Sequence, residues 1–213
     1  MQLPTNDEFR KGYREFQARD PRDAMYKVAT FLVETYWDYP PNNRFNNMAN
    51  GLGVLLLTWN SAFYRYGPFD YDDLERCIDK HLTTLARYRQ RDIQDYTSED
   101  DLTIRDLFTD FLSALKICDA KSPEVIGRKS PVSVAKALHL LAPSFFPLWD
   151  DKIAREYKCY YSKDPAEKYL AFTVIIKNMR ERLEFDADCL SSGKTHIKLI
   201  DEYNYAKYTK KWV

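Results

Sequence analysis

The stretch from Met48 to Tyr66, MANGLGVLLLTWNSAFYRY, is the most apolar in the chain and constrains the fold more than any other segment. Set at 3.6 residues per turn, Leu55, Leu56, Trp59, Phe63 and Tyr66 fall on one broad face, which predicts a central helix that other elements must cover. Gly51 and Gly53 either let a neighbour approach closely or mark the start of that helix. Asn60 needs hydrogen-bond partners in such surroundings, and backbone or a ligand can supply them.

The rest of the chain supplies the cover. Asn6 to Arg19 and Asp20 to Tyr39 read as helices, the second opened by the cap-and-proline pair Asp20-Pro21 and closed by Pro40-Pro41. The asparagine-rich segment after it, with Arg44, reads as a solvated turn. Asp70 to Arg91, Leu102 to Cys118, Val132 to Leu141, the segment after Asp150, Ala166 to Leu183 and Lys198 to Tyr208 continue the same periodicity. No stretch alternates as a strand does, and no repeat recurs. The fold expected is all-α, about nine helices in one domain or two close lobes, with a cleft between the 48–66 helix and the 130–156 region.

Composition narrows the function classes. The 213 residues are 45% hydrophobic and 15% aromatic, enough for a full core. Lys and Arg number 32, as do Asp and Glu, so no overall field draws the chain to nucleic acid or membrane, and any nucleic-acid site must be a local basic patch. No apolar run approaches the roughly 18 residues that span a bilayer, and MQLPTNDEF lacks the basic and apolar regions of a signal peptide, so a cytoplasmic protein without a membrane partner is expected. Cys77, Cys118, Cys159 and Cys189 are widely spaced, with no CxxC pair and no histidine at ligand spacing, which argues for reduced thiols and against a metal site. Gly193-Lys194-Thr195 resembles the end of a phosphate loop, but Asp188 occupies the place of its first glycine and no strand precedes it, so neither a nucleotide cofactor nor any other is expected.

Chemistry gathers in KSPVSVAKALHLLAPSFFPLWDDKIARE, residues 129–156. Val134, Ala135, Leu138 and Leu141 recur at helical spacing and leave Lys136 and His139 at the edge of the buried face. Pro143 stops the helix. Phe145, Phe146, Leu148 and Trp149 are too apolar for a solvated loop and must be pinned in the core, so they deliver Asp150 to a fixed place at the start of the next helix. On residue type and position alone, Asp150 is an N-cap.

The order helix, loop, Pro147-Leu148-Trp149-Asp150, then Ile153 and Arg155, resembles the region around the catalytic aspartate of the helix-hairpin-helix-GPD DNA glycosylase superfamily. Thr58, Trp59, Asn60, Tyr64 and Arg65 stand where that family lines its base pocket after a Leu-Leu-Ser run. Lys129 lies near the place of the lysine that lyase-competent branches carry. Ser130-Pro131-Val132-Ser133 stands where the family has a Gly-apolar-Gly turn. The resemblance implies a DNA partner with an extruded base and Asp150, or its neighbour Asp151, as the catalytic carboxylate. It further implies Lys129 beside the site, Trp59, Asn60, Tyr64 and Arg65 around the base, and Arg128 and Lys136 against the DNA backbone. Base release by water rather than by a lyase goes with the altered turn. The alternative is a non-catalytic all-α module of the same fold that binds nucleic acid or protein. The sequence leaves the oligomeric state open.

Overall fold

The computed structural model describes residues 3–20, 23–37, 47–187, 189 and 192–213, and within these the chain is all-helical, with ten α-helices and no strand. They are α1 (Asn6–Arg19), α2 (Ala24–Trp37), α3 (Asn47–Trp59), α4 (Ser61–Tyr64), α5 (Tyr71–Arg89), α6 (Asp101–Ala114), α7 (Pro131–Leu141), α8 (Asp151–Glu156), α9 (Pro165–Arg182) and α10 (His196–Asn204). A single π-turn, Tyr205–Thr209, extends α10. Pro21, Pro40, Pro41 and Arg44 lie outside the described residues, while Asp20, expected to open the second helix, closes α1 instead, and α2 starts at Ala24. No helix among the described residues is long and apolar enough to cross a membrane.

Short-range chemistry sets most boundaries. Thr5 caps α1 in a reciprocal capping box with Glu8, Asp70 caps α5 through Asp72 N and Asp73 N, and Ser130 followed by Pro131 opens α7. The apolar faces then meet in one cluster centred on Leu52, Leu55 and Leu56 of α3, Leu107, Phe108 and Phe111 of α6, and Val134, Leu138 and Leu141 of α7. Two glycines set helix distances. A Cβ on Gly51 would stand 3.2 Å from Leu32 Cβ of α2, and one on Gly12 would stand 2.6 Å from Tyr203 Cδ2 of α10. Thus α2 lies against α3, and α1 seats the C-terminal helix against the body.

Three departures from the sequence expectation matter for the site. The 48–66 helix is broken: Asn60 leaves helical geometry at φ −117°, ψ 28°, and α4 restarts after it. Phe63 N donates to Asn60 O rather than to the carbonyl four residues back, so the Trp59 carbonyl is released from the helix ladder. Second, every residue of α7 from Val132 to Leu141 is buried, so Lys136 and His139 lie inside the core rather than at its edge. Third, α6 ends at Ala114 rather than at Cys118, so the expected loop ahead of α7 starts earlier; it carries a 3-10 turn at Pro123–Val125 and is tied by hydrogen bonds between Ile117 and the Gly127–Arg128 pair. Ser130 and Ser133 in this region cap a helix and bind a side chain, which is the use the chain makes of its Ser-Pro-Val-Ser sequence.

Candidate functional site

Phe145 and Phe146 are fully buried, with Leu148 and Trp149 nearly so, and Tyr169 Oη fixes the loop by donating to Pro147 O at 2.9 Å. This rigid lead-in carries Asp150 to the N-terminus of α8, where its Oδ1 accepts from Ile153 N at 2.8 Å. Its Oδ2 accepts from Thr209 Oγ1 at 2.5 Å, which ties α8 to the π-turn. Asp151 is instead exposed and pairs with Arg155 on its own helix, so Asp150 is the inward aspartate.

Asp150 opens onto a cavity of about 560 Å³. Thr58, Trp59 and Asn60 form one wall, Val132 and Lys136 of α7 another, and residues 148–153 with Tyr161 a third. Phe16, Asp20, Asp23, Lys198, Asp201, Tyr205 and Thr209 complete it from the two ends of the chain. Stacking on Tyr26, with ring centroids 6.0 Å apart and planes within 12°, holds the Trp59 indole. The Asn60 amide donates to Ser130 Oγ at 2.9 Å and Ser133 Oγ at 2.6 Å, so the break in α3–α4 is locked to the start of α7.

Lys136 Nζ donates to the Trp59 carbonyl freed by that break, at 3.1 Å. Burial pulls its ammonium down to about 8, although Asp150 and Asp201 pull the other way. Behind it lies a buried ionic cluster. Lys198 Nζ stands 3.3 Å from Asp23 Oδ2, 3.4 Å from Asp201 Oδ2 and 3.6 Å from Glu202 Oε1, while Lys194 pairs with Glu202 and lies 3.4 Å from Asp23. Burial alone would lower the Lys198 ammonium, but Asp201, Glu202 and Asp23 outweigh it and hold that group above its ordinary range. Asp201 moves the opposite way for a carboxylate: burial raises it to about 6, with Asp150 and Glu202 adding to the rise and Lys198 opposing it. The Gly-Lys-Thr triplet thus serves this cluster, with Lys194 inside it and Thr195 capping α10.

The structure brings Asp150, Asp151, Thr58, Trp59, Asn60 and Lys136 to one cavity and leaves Tyr64, Arg65, Arg128 and Lys129 outside its lining. Tyr64 is buried and donates to Leu115 O at 3.1 Å, so it packs rather than lines. Arg65 is exposed, its guanidinium over the Tyr66 ring. Arg128 and Lys129 are exposed on the α6–α7 loop, free to meet a phosphate but not the cavity. Lys136 points inward, and its burial leaves no surface for a DNA backbone contact. Lys198, Asp201 and Asp23 escaped the sequence reading. α10 is buried from Ile197 to Asn204 except at Asp201, which forces its charges to pair internally, and no spacing in the sequence marks this.

His139 belongs to the same core. Its Nδ1 lies 2.8 Å from Phe146 O and its Nε2 lies 2.9 Å from Tyr26 Oη, so a neutral ring donates to the carbonyl and accepts from the phenol. Burial drives it down from 6.5 to about 3. The folded value is below the unfolded one, so as pH falls through about 6.5 the unfolded chain takes up the proton first, and the stability present above that pH is lost progressively down to about 3. Asp201, raised, acts in the opposite sense between its ordinary range and about 6. From pH 7 to pH 6 the His139 loss, roughly 0.7 kcal/mol, is about half offset by the Asp201 gain, so the urea midpoint of the native chain is expected to fall by the equivalent of only about 0.3 kcal/mol, and to rise instead in His139→Gln.

Comparison of the chain with protein-family models, with curated proteins and with solved structures gives no match in any of the three.

Proposed function

We propose that the cavity is the active site of a DNA-directed, base-releasing hydrolase of the glycosylase type. The observation that carries this reading is the meeting of Asp150 with Trp59, Asn60 and Lys136, remote in sequence, around a space of about 560 Å³, within the range of small-ligand sites. An extruded base needs flat walls and a few polar groups, and Trp59, Trp149 and Tyr161 with Asn60 provide both kinds. A carboxylate held at a helix start stabilises the cationic sugar that forms as the glycosidic bond breaks, and orients the water that attacks it. Lys129 stands outside the cavity, which supports release by water without strand cleavage.

The test is incubation with duplexes that each carry one modified base, followed by alkali. Strand breakage at one lesion only after alkali is the expected result, and no alkali-labile site on any duplex would remove the reading. A borohydride-trapped adduct would instead give one of the cavity's lysines, Lys136, Lys152 or Lys198, a covalent role.

A second reading has one observation in its favour: both oxygens of Asp150 already accept hydrogen bonds, from Ile153 N and Thr209 Oγ1, as a purely structural cap would. In that case the chain is a non-catalytic helical module. Duplex binding that weakens steeply with salt through Arg128 and Lys129, with no base released, is its signature.

A further inference from the structure

We propose that Asp201 is the general acid of this cavity, giving its proton to a ring nitrogen of the departing base while Asp150 faces the sugar. The inference rests on the base-releasing reading above and adds a second carboxylate with a separate task. Asp201 lines the same cavity as Asp150 but comes from α10, and its side chain is only 14% exposed, open to the cavity and shielded from bulk water.

The groups facing it come from every neighbouring element. Lys198 and Glu202 lie on its own helix, Lys136 on α7 and Asp150 at the head of α8, while Asp23 precedes α2 and Tyr26 lies on it. With three other carboxylates nearby, a proton on Asp201 relieves like-charge repulsion, and burial keeps it there at higher pH than an ordinary aspartate would. Two carboxyl groups in one site, one set to hold a proton and one at a helix start, divide acid from charge-stabilising work.

The step balances simply. The C1′–N bond breaks and its electron pair goes to the base, which takes the Asp201 proton. Water adds to C1′, and the proton it loses returns to Asp201, so the enzyme is regenerated. Such a site favours neutral bases that leave poorly without protonation.

The experiment is single-turnover base release from the duplex found positive with alkali, between about pH 5 and about pH 8, for the native chain and Asp201→Asn. The native rate should fall as pH rises through the Asp201 titration near 6. In Asp201→Asn the rate at low pH should drop by roughly 10²-fold and lose that dependence. A duplex with N7-methylguanine, whose cationic base leaves without a proton, should be nearly insensitive to the substitution if it is cleaved. A native profile flat across the range overturns the proposal without any variant. So does an Asp201→Asn chain that loses rate equally on both duplexes with its pH profile intact, the mark of a structural role. Absence of release by the native chain overturns the base-releasing reading itself.

Discussion

Replacing Asp150 by asparagine is expected to lower base release by about 10³-fold while leaving the fold and duplex binding in place. The cap survives because the asparagine carbonyl can accept from Ile153 N as the carboxylate does, and Thr209 Oγ1 can reverse to accept from the new amide. The change in unfolding free energy should stay within about 0.5 kcal/mol. What disappears is the negative charge that faces a cationic sugar. Asp151→Asn is the control, since that side chain is exposed and pairs only with Arg155. Full activity in Asp150→Asn would leave the residue as a helix cap and nothing more.

The largest effect on stability is expected from Lys198→Met. The substitution keeps the aliphatic stem but strips the ammonium that Asp23, Asp201 and Glu202 share, and only Lys194 remains beside them. Removing one partner of a buried ionic group leaves uncompensated charge, at a cost of roughly 3–5 kcal/mol. The contacts of Lys198 with the Phe16, Tyr26 and Trp59 rings, at 5.1, 4.8 and 5.0 Å, vanish as well. Urea unfolding near neutral pH measures the loss, and adding Glu202→Gln should recover part of it. A loss below about 1 kcal/mol would mean that the cluster is largely neutral in the folded chain.

Much of this architecture is legible in the chain. The all-helical fold follows from periodicity, the Asp150 cap from its place ahead of a helical pattern, and the buried Phe145–Trp149 loop from an apolar content that no solvated turn sustains. That Asn60 needs partners was legible too, but not that the hydroxyls of Ser130 and Ser133 supply them where backbone or ligand was expected.

The break at Asn60 was hidden because no proline or glycine marks it; the helix yields there to a neighbour's hydroxyls, which sequence periodicity does not contain. Lys198, Asp201 and Glu202 looked like the wet face of an amphipathic helix, since spacing cannot tell a solvated charge from one matched by Asp23 far upstream. Lys136 and His139 were set at the edge of α7 by the same reasoning. An apolar count all round VSVAKALHLL would have moved them inward.

The route of α10 has a consequence for the order in which the site comes into being. Trp59 and Asn60 are translated first and Asp150 later, but Lys198, Asp201 and Thr209, which close the cavity and tie off α8, follow all of them. A nascent chain that has passed Asp150 therefore holds the aspartate without its opposite wall. Glu75 of α5 finds its partner nearby, accepting from Ala49 N of α3, whereas the cations that meet Asp23 among the described residues, Lys194 and Lys198, come from beyond α9. The α10 segment therefore docks onto the amino-terminal helices by charge as well as by shape, and the wall opposite Asp150 forms only once it has done so.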